Sequence, residues 1–260
     1  MGKLSSKNAI VMGAGGAGNM GQVIAKALIS EGAAVTVTGR KADALEAFAA
    51  DTGAQWKTCD ITRKADVDAL FDGISGGPDI AINATGWGLM KALLDVTEDD
   101  LEQMVALQFK GVHYFLAAAV RTMTGGGSVI QVSSATTQVP IFDHAAYIGT
   151  KAGSEALIRC IANQYGPQGI RANVVSPGLT ESPMTAGAVS TPGLIAAFEK
   201  EYPLGRIGTS DDIASACVWL SSDDCFMTGQ NFQVNGGLTL RRNPRPEEIG
   251  ASVAAAMAQG

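Results

Sequence analysis

Apolar runs and helically spaced apolar positions alternate along the chain and lay out its elements. Asn8–Met12 is a short apolar run, followed at once by a glycine-rich turn, Gly13-Ala-Gly-Gly-Ala-Gly-Asn-Met-Gly21. Gln22–Glu31 places Val23, Ile24, Ala27 and Leu28 at helical spacing, and Ala34–Thr38 returns to strand character. Lys41–Asp51 reads as a helix, Gln55–Cys59 as a third strand and Lys64–Ile74 as a helix. Asp79–Asn83, entered through Pro78, is a fourth strand. Thr97, followed by Glu98, Asp99 and Asp100, starts a long amphipathic helix expected to run to about Thr122. Ser128–Val132 predicts a short buried strand. Tyr147 opens a helix to about Tyr165, and Gly166-Pro-Gln-Gly169 breaks it before the strand Ile170–Val175. Met184–Tyr202, punctuated by Gly and Pro, has the mixed character of a substrate lid.

Composition narrows the picture. A chain of 260 residues suits one α/β domain and can bury a full core. The net charge of −6, without basic clusters, argues against nucleic acid or an anionic membrane surface as partner. The polar start Met1–Lys7 and the lack of a long apolar run predict no secretory signal and no membrane span, hence a cytoplasmic protein. Cys59, Cys160, Cys217 and Cys225 lack metal-ligand spacing and read as small core residues in a reducing compartment. With His113 and His144 the only histidines, a zinc site or a Ser-His-Asp site is poorly supported, and no metal is expected.

Two stretches carry candidate chemistry. Strand, glycine turn (Gly13, Gly15, Gly18), helix and strand form a mononucleotide-binding unit: glycines let the backbone approach a pyrophosphate, and the helix N-terminus offers free N–H groups. Glycine loops also serve as plain turns, so the placement between strand and helix is what gives the motif weight. At the end of the second strand, Gly39 stands where enzymes using NAD place an acid, and Arg40 is next. A guanidinium suits a 2′-phosphate, which favours NADP(H) over NAD(H). The second stretch runs from Ser133 to Lys151. Tyr147 and Lys151, four apart, share one helical face, and a cation within about 4–6 Å favours a phenolate by roughly 1–3 pH units. Ser134, on the preceding strand end, offers a neutral donor to the same reacting oxygen.

Ser134, Tyr147 and Lys151, with thirteen positions between the first and second of them, resemble the active-site core of the short-chain dehydrogenase/reductase family. The resemblance spans residues 8–240. It implies a doubly wound Rossmann-type domain with a seven-stranded parallel sheet, one domain over 1–260; residues 241–260 are left over, Arg241, Arg242, Pro244, Arg245 and Pro246 and then an Ala-rich helical stretch, and are expected to form a frayed tail. The stretches Pro203–Ile213 and Thr228–Gly237 resemble the family's C-terminal signature and imply a last helix to Ser221 and a seventh strand. The glycine turn departs from the family pattern: Gly13 and Gly21 match its outer glycines, but the loop is two residues longer, with Asn19 at the middle glycine position and Met12 in place of Thr. A longer loop resembles the enoyl-reductase branch; the Tyr147–Lys151 spacing and Ser154 reject that branch. Asp60-Ile61 matches the pair that flanks adenine, Asp60 being equally suited to cap a helix. Asn83-Ala-Thr-Gly86 corresponds to Asn-Asn-Ala-Gly, so Ala84 removes one side-chain hydrogen bond. Pro177, Gly178, Thr180 and Ser182 match the turn around the nicotinamide amide. By the same resemblance Met20 and Gly21 belong to the cofactor set. Gln108 stands for the family's catalytic Asn, which holds a water linking the lysine to solvent; the alternative is a helix-surface residue.

The reading these features support is NADP(H)-dependent hydride transfer between a secondary alcohol and a ketone. Trp87, Thr136, Val139, Phe142, His144, Met184 and Phe198 are pocket candidates, mostly apolar, which favours a hydrophobic or aromatic small molecule. The resemblance also implies a homo-oligomer, tetramer or dimer, through the long helix and the helix of Tyr147. A 3-oxoacyl reductase is the nearest rival, and Ala84 with Gln108 leaves open a catalytically weak NADP(H)-sensing protein.

Overall fold

Burial on both faces marks the centre of the sheet. In the computed structural model, which describes residues 2–258, β1 (Asn8–Met12) is buried from Ala9 onward. Its side chains divide by alternation: Ala9 and Val11 join one apolar core, Ile10 and Met12 the other. β1 pairs in parallel with β2 (Ala34–Gly39) and β4 (Ile80–Asn83). The sheet continues through β3 (Gln55–Thr58) on one side and through β5 (Gly127–Val132), β6 (Ile170–Pro177) and β9 (Asn231–Val234) on the other. The order β3-β2-β1-β4-β5-β6-β9 reverses direction between β1 and β4, and such a switch point opens a crevice at the carboxyl ends of the strands.

Helices cover both faces. On one, α1 (Met20–Ser30) and α9 (Ser210–Ser221) bury Ile24, Leu28, Ile213, Cys217 and Leu220, with α2 (Ala42–Thr52) adding Leu45. On the other, α3 (Lys64–Asp72), α5 (Gly111–Thr122) and α6 (Ala145–Tyr165) pack Phe71, Phe115 and Ile158. The Phe71 and Phe115 rings meet edge-on at 5.1 Å. Two-residue strands β7 (Thr180–Glu181) and β8 (Gly208–Thr209) pair across the base of the lid, whose helices are α7 (Ala186–Val189) and α8 (Leu194–Glu199).

Two expectations are corrected. The helix from Thr97 is not continuous: α4 (Glu98–Val105), capped by a Thr97–Asp100 box, passes through a π-helical turn over Ala106–Lys110 into α5. The turn accommodates an extra residue and brings Gln108 inside while Phe109 faces out. The tail is not frayed. Pro246–Met257 forms α10, and Arg242 grips both Glu248 oxygens at 2.7 Å. Ser252 Oγ donates to Gly193 O at 2.8 Å, at the start of α8. Gly193 lies on the lid, far away in sequence, so no local pattern records this docking; residues 259 and 260 lie outside the described residues. Cys160 is exposed, unlike the other cysteines. No helix among the described residues is long and apolar enough to cross a membrane.

Gly111 tests the packing at the π turn. Replacing a helical glycine by alanine normally stabilises by roughly 0.5–1 kcal/mol. Here a Cβ would stand 2.9 Å from Ile61 O and 3.1 Å from Ala106 O. Gly111→Ala is therefore expected to destabilise, by about 1–3 kcal/mol in urea unfolding; an unchanged or higher midpoint contradicts the close approach.

Candidate active site

The strand ends bring the three chemical side chains together. β5 runs out into Ser133 and Ser134, and Ser134 begins a short turn in which its Oγ accepts from Thr136 N at 3.2 Å and from the Thr136 hydroxyl at 2.9 Å. Both contacts use acceptor capacity, so the Ser134 hydrogen stays available to donate. Lys151 Nζ lies 5.7 Å from the Tyr147 ring centroid, one helical turn away. The ammonium is 3% exposed and donates to Val132 O at 2.9 Å and Thr85 O at 3.2 Å, tying α6 to the ends of β5 and β4. Burial pushes Lys151 down to about 8, against the pull of Glu155. Burial also raises the Tyr147 phenol, with Ser134 acting the other way. Burial therefore acts against the lowering of the phenol expected from the neighbouring ammonium, which is itself engaged by carbonyls.

Gln108 is inside, not on the helix surface. It is 1% exposed; its Oε1 accepts from Trp87 N at 3.3 Å and its Nε2 donates to Thr150 Oγ1 at 3.2 Å. Nε2 also lies against Met104 Sδ. At Gly86 a Cβ would stand 3.5 Å from Gln108 Oε1, 3.7 Å from Lys151 Nζ and 3.9 Å from Met184 Cε. The amide oxygen, the ammonium and the lid therefore converge on one spot above β4.

The glycine turn is held by amides. Gly13, at φ +100°, would press a Cβ to 2.8 Å from Ala84 C, and Gly21 would press one to 2.6 Å from Gly13 O. Asn19 caps α1 by accepting from Gln22 N at 3.0 Å, and its Nδ2 reaches back to Gly13 O at 2.8 Å. Gln22, which sequence reasoning missed, donates to Ala14 O and Ala44 O and accepts from Gly18 N. Its signal was a buried amide among apolar helix positions. Met20 opens α1 and packs against the core. The loop passes directly over the end of β2: a Cβ on Gly15 would be 3.3 Å from Arg40 N and 3.4 Å from Lys41 N. Arg40 and Lys41 are both exposed there, and Lys41 is a second cation that the sequence reading overlooked.

Other expected cofactor residues have structural partners of their own. Asp60 does not cap α3, whose first flanking residue is Arg63; it accepts from Thr62 N and Oγ1. Burial alone would raise its carboxyl, but Thr62 and the charges of Arg40 and Arg63 hold it below the ordinary value. Ile61 is a core side chain, 3% exposed. Asn83 is fully buried, donates to Gln131 Oε1 at 2.9 Å and accepts from Thr85 N and Oγ1, so Thr85 and Gln131 brace the segment that carries Ala84 and Gly86. Past Pro177, Gly178 lies under Tyr202, whose oxygen accepts from Leu179 N at 2.6 Å. Thr180 Oγ1 donates to Gly178 O, while Ser182 N donates to Thr185 Oγ1.

On the substrate side, Phe142 and Met184 are 57% and 63% exposed, and Trp87 and Thr136 are half-buried. His144 packs its ring 4.7 Å from that of Tyr147, and its Nδ1 is buried without a hydrogen-bond partner. Burial lowers its basicity, opposed by Asp143. Phe198 is corrected: it is 6% exposed, in a core with Ala135, Tyr202, Ile207 and Leu238. Val139 packs against that core and its carbonyl accepts from Asn243 at 2.5 Å.

A glycine turn at a switch point, with Ser, Tyr and Lys at the adjoining strand ends, defines a dinucleotide-dependent oxidoreductase. Comparison with known proteins places it further. A family model described as Enoyl-(Acyl carrier protein) reductase matches residues 13–239. The chain is 33% identical over 251 residues to 2,5-dichloro-2,5-cyclohexadiene-1,4-diol dehydrogenase of Sphingobium indicum, covering 92% of this chain and 99% of that protein. It is 29% identical to D-threitol dehydrogenase of Mycolicibacterium smegmatis over 250 residues, covering 92% and 95%. A crystal structure of a gluconate 5-dehydrogenase from Burkholderia cenocepacia in complex with NADP and tartrate superposes with a TM-score of 0.86, at 27% identity, over 92% of this chain and 97% of that one. The chain belongs to the short-chain dehydrogenase/reductase family and is an oxidoreductase of alcohols and ketones.

Gly39 offers a test of the loop geometry. A Cβ there would stand 2.7 Å from Gly15 N and 2.9 Å from Gly15 Cα, backbone atoms that cannot swing aside. Gly39→Asp is accordingly expected to weaken NADH and NADPH together, by at least tenfold in Kd, rather than convert one preference into the other. Tighter NADH binding by this variant would refute the steric bar.

Proposed function

We propose that the protein interconverts a secondary alcohol and a ketone on a small, largely apolar molecule, using NADP(H). The observation that carries the reading is the convergence of Ser134, Tyr147 and Lys151 at the ends of β4 and β5, beside Gly86. The glycine turn leaves backbone where a side chain would stand, and exposed Arg40 and Lys41 lie beneath it, a donor set that fits a dinucleotide with a 2′-phosphate. When bound there, the nicotinamide supplies or accepts the hydride. In the reductive direction Tyr147 gives its proton to the carbonyl oxygen, which Ser134 holds by hydrogen bonding. Lys151 holds the ribose and stabilises the phenolate left behind. Gln108 positions Trp87 and α6 around this centre and presents its Oε1 beside the ammonium. Desolvation raises both the phenol and the unfavourable cost of its anion, so the proton donor is kept in its neutral form at neutral pH.

Exposed Phe142 and Met184 favour an apolar substrate body, and the unpartnered Nδ1 of His144 favours one further oxygen near the reacting centre. A hydroxylated ring meets both demands, in keeping with the cyclohexadienediol relative. The apolar side chains Leu101 and Phe109, exposed on the α4–α6 side, support a homo-oligomer. Buried thiols support a reducing, cytoplasmic setting.

Turnover on a panel of cyclic and open-chain alcohols and ketones tests the activity. Tyr147→Phe removes one proton donor and little volume, so kcat is expected to fall by ~10²–10⁴ with NADPH binding retained. More than about a tenth of wild-type kcat in this variant contradicts the assignment. Cofactor titration tests the other half. NADPH should bind more tightly than NADH, and Arg40→Ala should reduce NADPH affinity by about tenfold to a hundredfold; equal affinity of the wild type for both refutes the role of Arg40.

A further inference from the structure

One buried carboxylate has no part in the reaction described so far. Glu155 lies on α6 one turn beyond Lys151 and is 6% exposed, an expensive place for a negative charge. Ser133 Oγ, itself buried, donates to its Oε1 at 2.6 Å, a length in the range of a hydroxyl bonded to an ionised carboxylate. We propose that Glu155 is a positioning residue: the counter-charge, fixed by Ser133, that keeps Lys151 in its ammonium form inside the site.

The surroundings of Lys151 show why a counter-charge is needed. Its hydrogen bonds go to two neutral carbonyls, Val132 O and Thr85 O. The π turn presents the neutral amide of Gln108, the segment after β5 presents Ser133 and Ser134, and the lid presents Met184. On its own helix the titratable neighbours are Tyr147 and Glu155. Of these groups, Glu155, buried one turn along the same helix and held by Ser133, is the acidic one. Without it, burial is unopposed except by carbonyl dipoles, and a lysine already brought down to about 8 would lose its proton nearer neutrality. A neutral Lys151 could neither stabilise a Tyr147 phenolate nor donate as strongly to a ribose.

The inference rests, for its consequence, on the reading of Lys151 as the cofactor-holding ammonium; the coupling itself is measured without cofactor or substrate. Lysine 13Cε resonances of the labelled free protein are followed from pH 5.5 to 10, with Lys151 assigned from the spectrum of Lys151→Arg. In Glu155→Gln the Lys151 midpoint is expected to fall by about one pH unit or more, and in Glu155→Asp to return most of the way. An unchanged midpoint in a folded Glu155→Gln overturns the proposal. Should that variant fail to fold, Glu155→Met removes the charge with no polar atom to satisfy, and the same criterion applies.

NADPH titration across pH supplies the second arm. Glu155→Gln should bind NADPH near-normally at pH 6 and about tenfold more weakly than wild type at pH 8, as the ammonium is lost. An equal loss at every pH together with an unchanged Lys151 midpoint is the signature of a purely structural role and overturns the proposal. A lowered Lys151 midpoint with pH-independent affinity sustains the Glu155–Lys151 pair and overturns the ribose role of Lys151 instead.

Discussion

The grip of Lys151 on the carbonyls of Val132 and Thr85 is the contact on which the site depends. The two carbonyls belong to neighbouring strand ends, where the ladder runs out and backbone acceptors would otherwise lie unpaired in a buried place. One ammonium satisfies both. In doing so it fixes the height of α6 over the sheet, and with it the position of Tyr147 one turn earlier. The ammonium proposed to take part in the chemistry is thus also a structural fastener. Its cost is desolvation, which brings Lys151 down to about 8 and raises the phenol beside it. The balance between holding the strands and staying protonated is set by groups behind the site, on α6 and at the end of β5.

A second constraint works at the other side of the switch point. The elongated glycine turn folds down onto the end of β2, and Gln22 and Asn19 hold it there through backbone partners. Once the loop is there, position 39 has no room for a side chain. The absence of an acid at that strand end is therefore a steric requirement of the loop. Arg40, whose backbone passes beneath Gly15, inherits the edge of the crevice with Lys41.

Much of this was legible in the sequence, and the reasons differ by residue. The strands were readable because buried parallel strands are continuous apolar runs, and β1, β4 and β5 each lie within a residue or two of the expected bounds. Ser134, Tyr147 and Lys151 were readable because a strand end and one helix face bring them together locally. Gln22, Gln131 and Tyr202 were not, since each acts on backbone 8 or more positions away or on a neighbouring strand, and no local spacing records such a bond. The π turn escaped because its hydrophobic period drifts by a single residue within an otherwise helical pattern. The burial of Gln108 follows from that drift, and the exposure of Phe109 is its counterpart. The docking of α10 escaped for a different reason: Ser252 bonds to Gly193 on the lid and Ile249 packs against the core around Phe198, contacts between segments far apart in sequence.

That last point bears on how the substrate side is built. α8 is held from below by a core that includes Ala135, next to Ser134, and from above by α10. Asn243, at the approach to α10, donates to Val139 O in the segment between Ser134 and Tyr147. The lid and the segment carrying the chemistry are thereby cross-linked through the last part of the chain. The side chains of Met184 and Phe142, at the mouth, are widely exposed. Side chains of this kind can reorganise around an apolar body at little cost, whereas Ser134, Tyr147 and Lys151 are fixed by bonds to the sheet. His144, its ring tilted against that of Tyr147 and its Nδ1 unpartnered, stands at the boundary between the exposed rim and the strand ends.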